Sequence, residues 1–189
     1  PGDPPGAEKI AVTTETPFCV YSAAKAITTT VVHMLVERGG AFSLDDRVCD
    51  YLPGYTSHGK DRTTIRHVMT HSAGVPFATG PKPDLKRMDD SEYARDMLGA
   101  MKPVYPPGRV HMYHGVTWGP LMREIISAAT GRSIRDILHE EILAPLASAG
   151  PITALRRKTF RWWRRVMSRA SRCPPPRSPG RSRPRWAAP

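Results

Sequence analysis

Ser22-Ala23-Ala24-Lys25 sets a hydroxyl and an amine three residues apart. A serine hydroxyl is a poor nucleophile at neutral pH and needs a neighbouring base. On a helix, positions i and i+3 share a face, so the two side chains can meet. The positive potential of a helix N-terminus, together with burial, disfavours the ammonium form and suits Lys25 to act as base. The Ser22 N–H is placed to help stabilise an oxyanion. The chemistry of such a pair is acyl transfer. Twelve Ser and seven Lys in 189 residues give roughly 0.4 S-x-x-K pairs by chance, and two occur. The second, Ser57-His58-Gly59-Lys60, lies in a polar turn with no helix after it. Ser22 instead follows an apolar segment and precedes an amphipathic one, which is the context the mechanism requires.

The elements around the pair follow from pattern and punctuation. Residues 10–21 are rich in β-branched and aromatic side chains and predict strand or extended chain. A helix is expected from about Ser22, with Ile27, Val31, Met34 and Leu35 at helical spacing and Gly39-Gly40 as its stop. Leu44-Asp45-Asp46 and Tyr51-Leu52-Pro53-Gly54 read as loop and turn. Thr63 or Thr64 caps a short helix through Ile65, Val68 and Met69 that ends before Gly74. Pro81 to Asp90 is a surface loop, and Ser91 opens a helix to about Met101. Pro103, Pro106, Pro107 and Gly108 force irregular backbone. Val116 to Thr130 is helical and closed by Gly131, and Ser133-Ile134-Arg135-Asp136 opens a last helix that stops before Pro145. The body is mostly helical, with little of the alternation a full sheet leaves.

Composition divides the chain in two. The 40% hydrophobic and 24% charged content is that of a soluble globular protein. No apolar run approaches the roughly 18 residues of a membrane span. The net charge of +11 suggests a polyanion partner until it is located. Residues 151–189 hold 12 of the 28 Lys and Arg and none of the 17 Asp and Glu, which leaves residues 1–150 at 16 against 17, or −1. The expected organisation is thus a domain over 1–150 and a basic Arg/Pro-rich tail over 151–189, read as disordered with a short cationic helix near Trp162. Three cysteines, Cys19, Cys49 and Cys173, form no C-x-x-C pair and argue against a disulfide framework or zinc ribbon. No signal peptide is visible, which favours a cytoplasmic location.

Several segments together resemble the serine β-lactamase-related family, which includes class C β-lactamases, penicillin-binding proteins and related esterases. They are Phe18-Cys19-Val20-Tyr21-Ser22-Ala23-Ala24-Lys25, Leu35-Val36-Glu37-Arg38-Gly39-Gly40, Leu44-Asp45-Asp46-Arg47-Val48 and Thr64 through Pro76 with its His71-Ser72-Ala73-Gly74. Pro107-Gly108, Tyr113-His114-Gly115, Gly131-Arg132-Ser133 and Pro145-Leu146 follow in the family's order. The resemblance covers about residues 10–147. It implies an α+β, β-lactamase/transpeptidase-like fold, here mostly the helical lobe with an incomplete antiparallel sheet. It implies Ser22 as the acylated nucleophile, Lys25 as its partner, and Tyr113 as the second proton-transfer group. A free phenol titrates near 10. Either Lys25 is the base, or Lys25 keeps its proton and the phenolate of Tyr113 is the base; the sequence supports both arrangements.

Two departures from the family pattern shape the expected function. Gly115 stands where the Y-x-N or Y-x-S motif has Asn or Ser, and Tyr-His-Gly is more similar to the esterase branch than to true β-lactamases. The family's third motif, Lys-Thr-Gly or His-x-Gly on a core strand, has no match: Lys158-Thr159-Phe160 lacks the glycine. The expectation is therefore a truncated serine hydrolase, an esterase forming an acyl-enzyme on Ser22, with a small ester or amide as substrate. His114 and Gly115 are the expected substrate-binding residues. The alternative is an inactive fragment whose tail binds polyanions. The tail also reads as a membrane-surface helix around Trp162-Trp163 or, the favoured reading, as non-native translated sequence after a frameshift.

The remaining residues take plainer readings. His71 and Gly74 are expected to be structural, the glycine permitting a turn and the histidine bonding backbone. His67 and His71 stand at i and i+4 but lack a third ligand, so no metal is expected, and no organic cofactor is implied. Cys19 and Cys49 are small buried hydrophobes.

Overall fold

The computed structural model describes residue 13, residues 20–77, residue 79, residues 83–84 and residues 86–146. Apart from Thr13 these all belong to one compact unit, Phe18–Ala149. The predicted extended segment before Val20, the basic tail and its cationic helix lie outside the described residues.

Six α-helices follow in order: α1 Ala24–Glu37, α2 Val48–Tyr51, α3 Ile65–Met69, α4 Ser91–Ala100, α5 Trp118–Thr130 and α6 Ile134–Leu138. Short 3-10 stretches precede α1 (Tyr21–Ala23) and α3 (Ser57–Arg62), and a π turn, His139–Leu143, continues α6. Helix α5 is central because its apolar residues recur on one stripe: Trp118, Leu121, Met122, Ile125 and Ile126 are all buried. It packs against α2, α3, α4 and α6. Val31 and Val32 of α1, Val48 and Leu52, Ile65 and Val68 of α3, Leu98 of α4 and Ile137 of α6 complete the core.

The predicted caps form. Thr64 Oγ1 accepts from the His67 N–H at 3.3 Å and Ser133 Oγ from the Asp136 N–H at 3.1 Å. Gly39 (φ 71°) follows α1 and Gly131 (φ 67°) closes α5. Helix α4 begins at Ser91 as expected, but Asp90 supplies its cap, accepting from the Tyr93 N–H at 3.2 Å. Two elements differ from the sequence reading. Val48–Tyr51 forms one helical turn ahead of the predicted turn, too short for helical periodicity to register in sequence. Ser22 lies in the 3-10 turn rather than in the first α-helical turn.

Residues 44–48 run antiparallel beside 63–66 through one isolated bridge, Arg47 to Thr64. Asp45 grips Arg66 across it with two contacts of 2.7 and 2.8 Å. There is no strand among the described residues, so the sheet implied by the resemblance has no counterpart in them. No helix among them is long and apolar enough to cross a membrane.

Candidate active site

The site is built on three pieces of chain: the turn into α1, the segment 71–76, and the arm 111–117 that leads into α5. Tyr21 has φ 45°, a left-handed conformation uncommon for a tyrosine, and it directs the chain into the 3-10 turn that holds Ser22. The turn runs directly into α1, and at i and i+3 along this continuous helical path Lys25 shares a face with Ser22. Lys25 Nζ lies 3.3 Å from Ser22 Oγ and donates to the Gly115 carbonyl at 3.2 Å. It also sits 5.2 Å from the centroid of the Tyr113 ring and 5.8 Å from that of Trp118.

Tyr113 is 54% exposed, so its phenol opens to solvent above the pair. Hydrogen bonding to Ser22, then to Lys25, draws this phenol below its ordinary range, and the charge of Lys25 adds to the effect. Ser22, Lys25 and Tyr113 are thus brought together, although 91 residues of sequence separate Ser22 from Tyr113.

Gly115 joins them through its carbonyl. A Cβ built on Gly115 would rest at ordinary contact, 3.5 Å, from the Tyr113 ring, so the glycine answers no steric demand. His114, expected beside the substrate, turns inward instead. It is fully buried, with Nε2 accepting from the Val75 N–H at 3.0 Å and Nδ1 2.6 Å from the Met112 carbonyl. Both ring nitrogens are engaged by backbone, so none is left for a substrate. Burial lowers its pKa, in keeping with a neutral ring.

Two participants escaped the sequence reading of the site. Trp118, the first residue of α5, is buried beneath Lys25. His71 lies under the tyrosine, its ring centroid 4.9 Å from that of Tyr113. The sequence reading took His71 as a structural residue bonding backbone, as its Nδ1 does, but gave no sign of its contact with Tyr113. His67 does not join it. His67 Nδ1 accepts from the Thr64 N–H at 3.1 Å, whereas His71 Nδ1 accepts from the His114 N–H at 3.1 Å.

The second S-x-x-K pair also closes, with Lys60 Nζ 3.1 Å from Ser57 Oγ. Its surroundings are different. Lys60 is fully buried and donates to the carbonyls of Gly99 and Met101, while the Ser57 hydroxyl donates to Gly99 at 2.9 Å. Two of this ammonium's three acceptors, the Gly99 and Met101 carbonyls, lie at the end of α4, a favourable place for a cation, and the third is Ser57 Oγ. Burial lowers the Lys60 pKa to about 8. This pair closes a helix.

Comparison with known proteins places the arrangement. The Beta-lactamase family profile matches residues 6–188, further along the chain than the segment in which the motifs are recognised. The chain belongs to this family. It is 35% identical over 132 residues to the esterase/beta-lactamase LipL of Mycobacterium tuberculosis, covering 69% of this chain and 30% of that protein. A penicillin-binding protein homologue from Caulobacter crescentus superposes with a TM-score of 0.61 at 32% identity, covering 67% of this chain and 34% of the other. A family VIII carboxylesterase gives a TM-score of 0.61 at 28% identity, covering 66% of this chain and 34% of the other. The described helices therefore have the β-lactamase/transpeptidase-like fold, and the family and these relatives are hydrolases. The chain spans about a third of the length of the proteins it matches.

Proposed function

We propose that this chain is the nucleophile-bearing part of an esterase that works through an acyl-enzyme on Ser22. The observation that carries the reading is the meeting of Lys25 Nζ with Ser22 Oγ beneath a phenol whose pKa both of them lower. Lys25 donates on two sides, to Ser22 Oγ and the Gly115 carbonyl, and its hydrogen bond to Tyr113 and its charge favour the phenolate. Of the two arrangements open in the sequence, this favours Tyr113 as the base.

In this mechanism the Tyr113 phenolate takes the Ser22 proton as Oγ bonds to the ester carbonyl carbon. The carbonyl electron pair moves onto oxygen, where the Ser22 N–H faces it as one oxyanion donor. Collapse of the tetrahedral intermediate breaks the bond to the alcohol, which leaves with the proton held by Tyr113. Water then attacks the acyl-serine and gives one proton to Tyr113; collapse breaks the acyl bond to Ser22 Oγ, which takes that proton back from Tyr113, so that the carboxylic acid leaves and the Ser22 hydroxyl and the phenolate are restored. Gly115 in place of Asn or Ser, together with the family VIII carboxylesterase among the solved neighbours, supports esters over β-lactams. The antiparallel sheet and a second oxyanion donor are what the family implies for the rest of the active site.

A fluorophosphonate probe tests the reading. Labelling of the wild-type chain that is lost in Ser22→Ala and kept in Ser57→Ala is the expected result. Equal labelling of both variants overturns it.

A further inference from the structure

His71 holds the chain on both sides of Tyr113. Its carbonyl accepts from the Met112 N–H at 3.0 Å, and its ring Nδ1 accepts from the His114 N–H at 3.1 Å. Between these two bonds its ring lies against the tyrosine ring, with centroids 4.9 Å apart and planes at 52°. The His114 ring extends the hold by bridging the Val75 N–H and the Met112 carbonyl. The backbone of His71 is left-handed, φ 58°, a conformation that costs free energy in a non-glycine residue and persists only where the surroundings impose it. That conformation is what allows the carbonyl and ring of one residue to reach positions 112 and 114 together.

We propose that His71 is a positioning residue that fixes the phenol of Tyr113 over Ser22 by clamping Met112 and His114. This rests on the role given to Tyr113 above. The clamp needs Nδ1 as an acceptor, hence a neutral ring with its proton on Nε2. The charged and titratable groups facing His71 are Lys25, Tyr113 and His114. Burial, then the charge of Lys25, lowers the His71 pKa, which keeps the acceptor free at neutral pH.

Asparagine separates positioning from bulk. Its Oδ1 can stand in for Nδ1, and asparagine tolerates the left-handed backbone, whereas alanine does neither. In His71→Ala, ester turnover should fall roughly 10- to 100-fold with KM within about threefold, the loss expected of a reacting group displaced by about 1 Å. His71→Asn should restore turnover to within about threefold of wild type. Hydrogen exchange read by NMR supplies a second measurement that needs no activity. The His114 amide should exchange about tenfold faster in His71→Ala than in wild type or His71→Asn, while the Leu121 amide of α5 stays protected as a control for folding. An unchanged His114 amide in His71→Ala overturns the clamp, whatever the turnover. A faster His114 amide with wild-type turnover overturns the positioning role. Wild-type chain without Ser22-dependent turnover would instead count against the proposed esterase, and the exchange data alone would then decide the clamp.

Discussion

Lys60 Nζ donates to the Gly99 carbonyl at 2.5 Å, tying the turn after α2 to the last turn of α4. The same S-x-x-K spacing therefore serves two ends within one chain. At Lys25 it meets a phenol and an open surface; at Lys60 it meets the carbonyl end of a helix. Replacing Lys60 by Met leaves the Met101 carbonyl without this donor and the Gly99 carbonyl with the Ser57 hydroxyl alone, at a cost of about 1–3 kcal/mol. Thermal unfolding of Lys60→Met should shift down accordingly, while probe labelling at Ser22 stays at the wild-type level. Loss of labelling in the folded variant would show that the second pair belongs to the active site after all.

The buried carboxylate of Glu124 is the electrostatic joint between α4 and α5. It accepts from Arg95 Nε at 2.7 Å, Arg123 Nε at 2.8 Å and Ser91 Oγ at 3.0 Å. Removing one partner of a buried ion pair costs about 3–5 kcal/mol. Arg95 is 53% exposed, and its charge can turn to water, so Glu124→Ala should lose about 3 kcal/mol, the lower end of that range. Urea denaturation midpoints at constant slope check this, and a change near zero would contradict it.

Gly74 cannot be replaced. Its φ is 85°, and a Cβ there would lie 2.3 Å from the Tyr105 carbonyl oxygen, which is backbone and has no freedom to rotate away. The Gly74 carbonyl in turn accepts from the Val104 N–H at 2.9 Å. Gly74→Ala should destabilise the fold by about 2 kcal/mol or more, combining conformational strain with overlap. A calorimetric scan matching wild type would refute the assignment.

Tyr113→Phe removes the phenol while keeping the ring on His71. Turnover should drop roughly 100-fold or more with little change in KM, the scale of a lost proton-transfer group. The pH profile carries the sign. A base works when deprotonated, so activity rises as pH passes the Tyr113 pKa, and the lowered value moves that rising limb below the ordinary phenol position near 10. The limb should vanish in Tyr113→Phe. A limb persisting in that variant would assign the base to Lys25.

The helices were legible because their signals are local. The apolar stripe of α5, the Thr64 and Ser133 caps and the glycines after α1 and α5 each lie within one or two turns of what they control. The Ser22–Lys25 contact was equally legible from spacing, and the approach of Tyr113 to it only from the resemblance. What sequence could not show was direction. His114 and Tyr113 are adjacent, and nothing in their types says which faces out; the Val75 N–H, 39 positions away, decides that by claiming the histidine ring. Lys60 is a parallel case, since its acceptors come from Gly99 and Met101, far along the chain. The Ser57 pair, expected in a polar turn with no helix after it, lies in a 3-10 stretch that leads into α3, and the buried destination of its lysine was not legible in that segment.

Thr117 Oγ1 donates to the Val75 carbonyl at 2.5 Å, directly before α5 begins. Together with the bonds at His71 and His114, this stitches the arm carrying the phenol to residues 71–75 at four points and anchors its far end on the central helix. An arm fastened in this way travels with the helix or stays still. Tyr21, 68% exposed next to Ser22 and outside that anchored arm, is the side chain to vary when the proposed esterase is tried on esters of differing bulk.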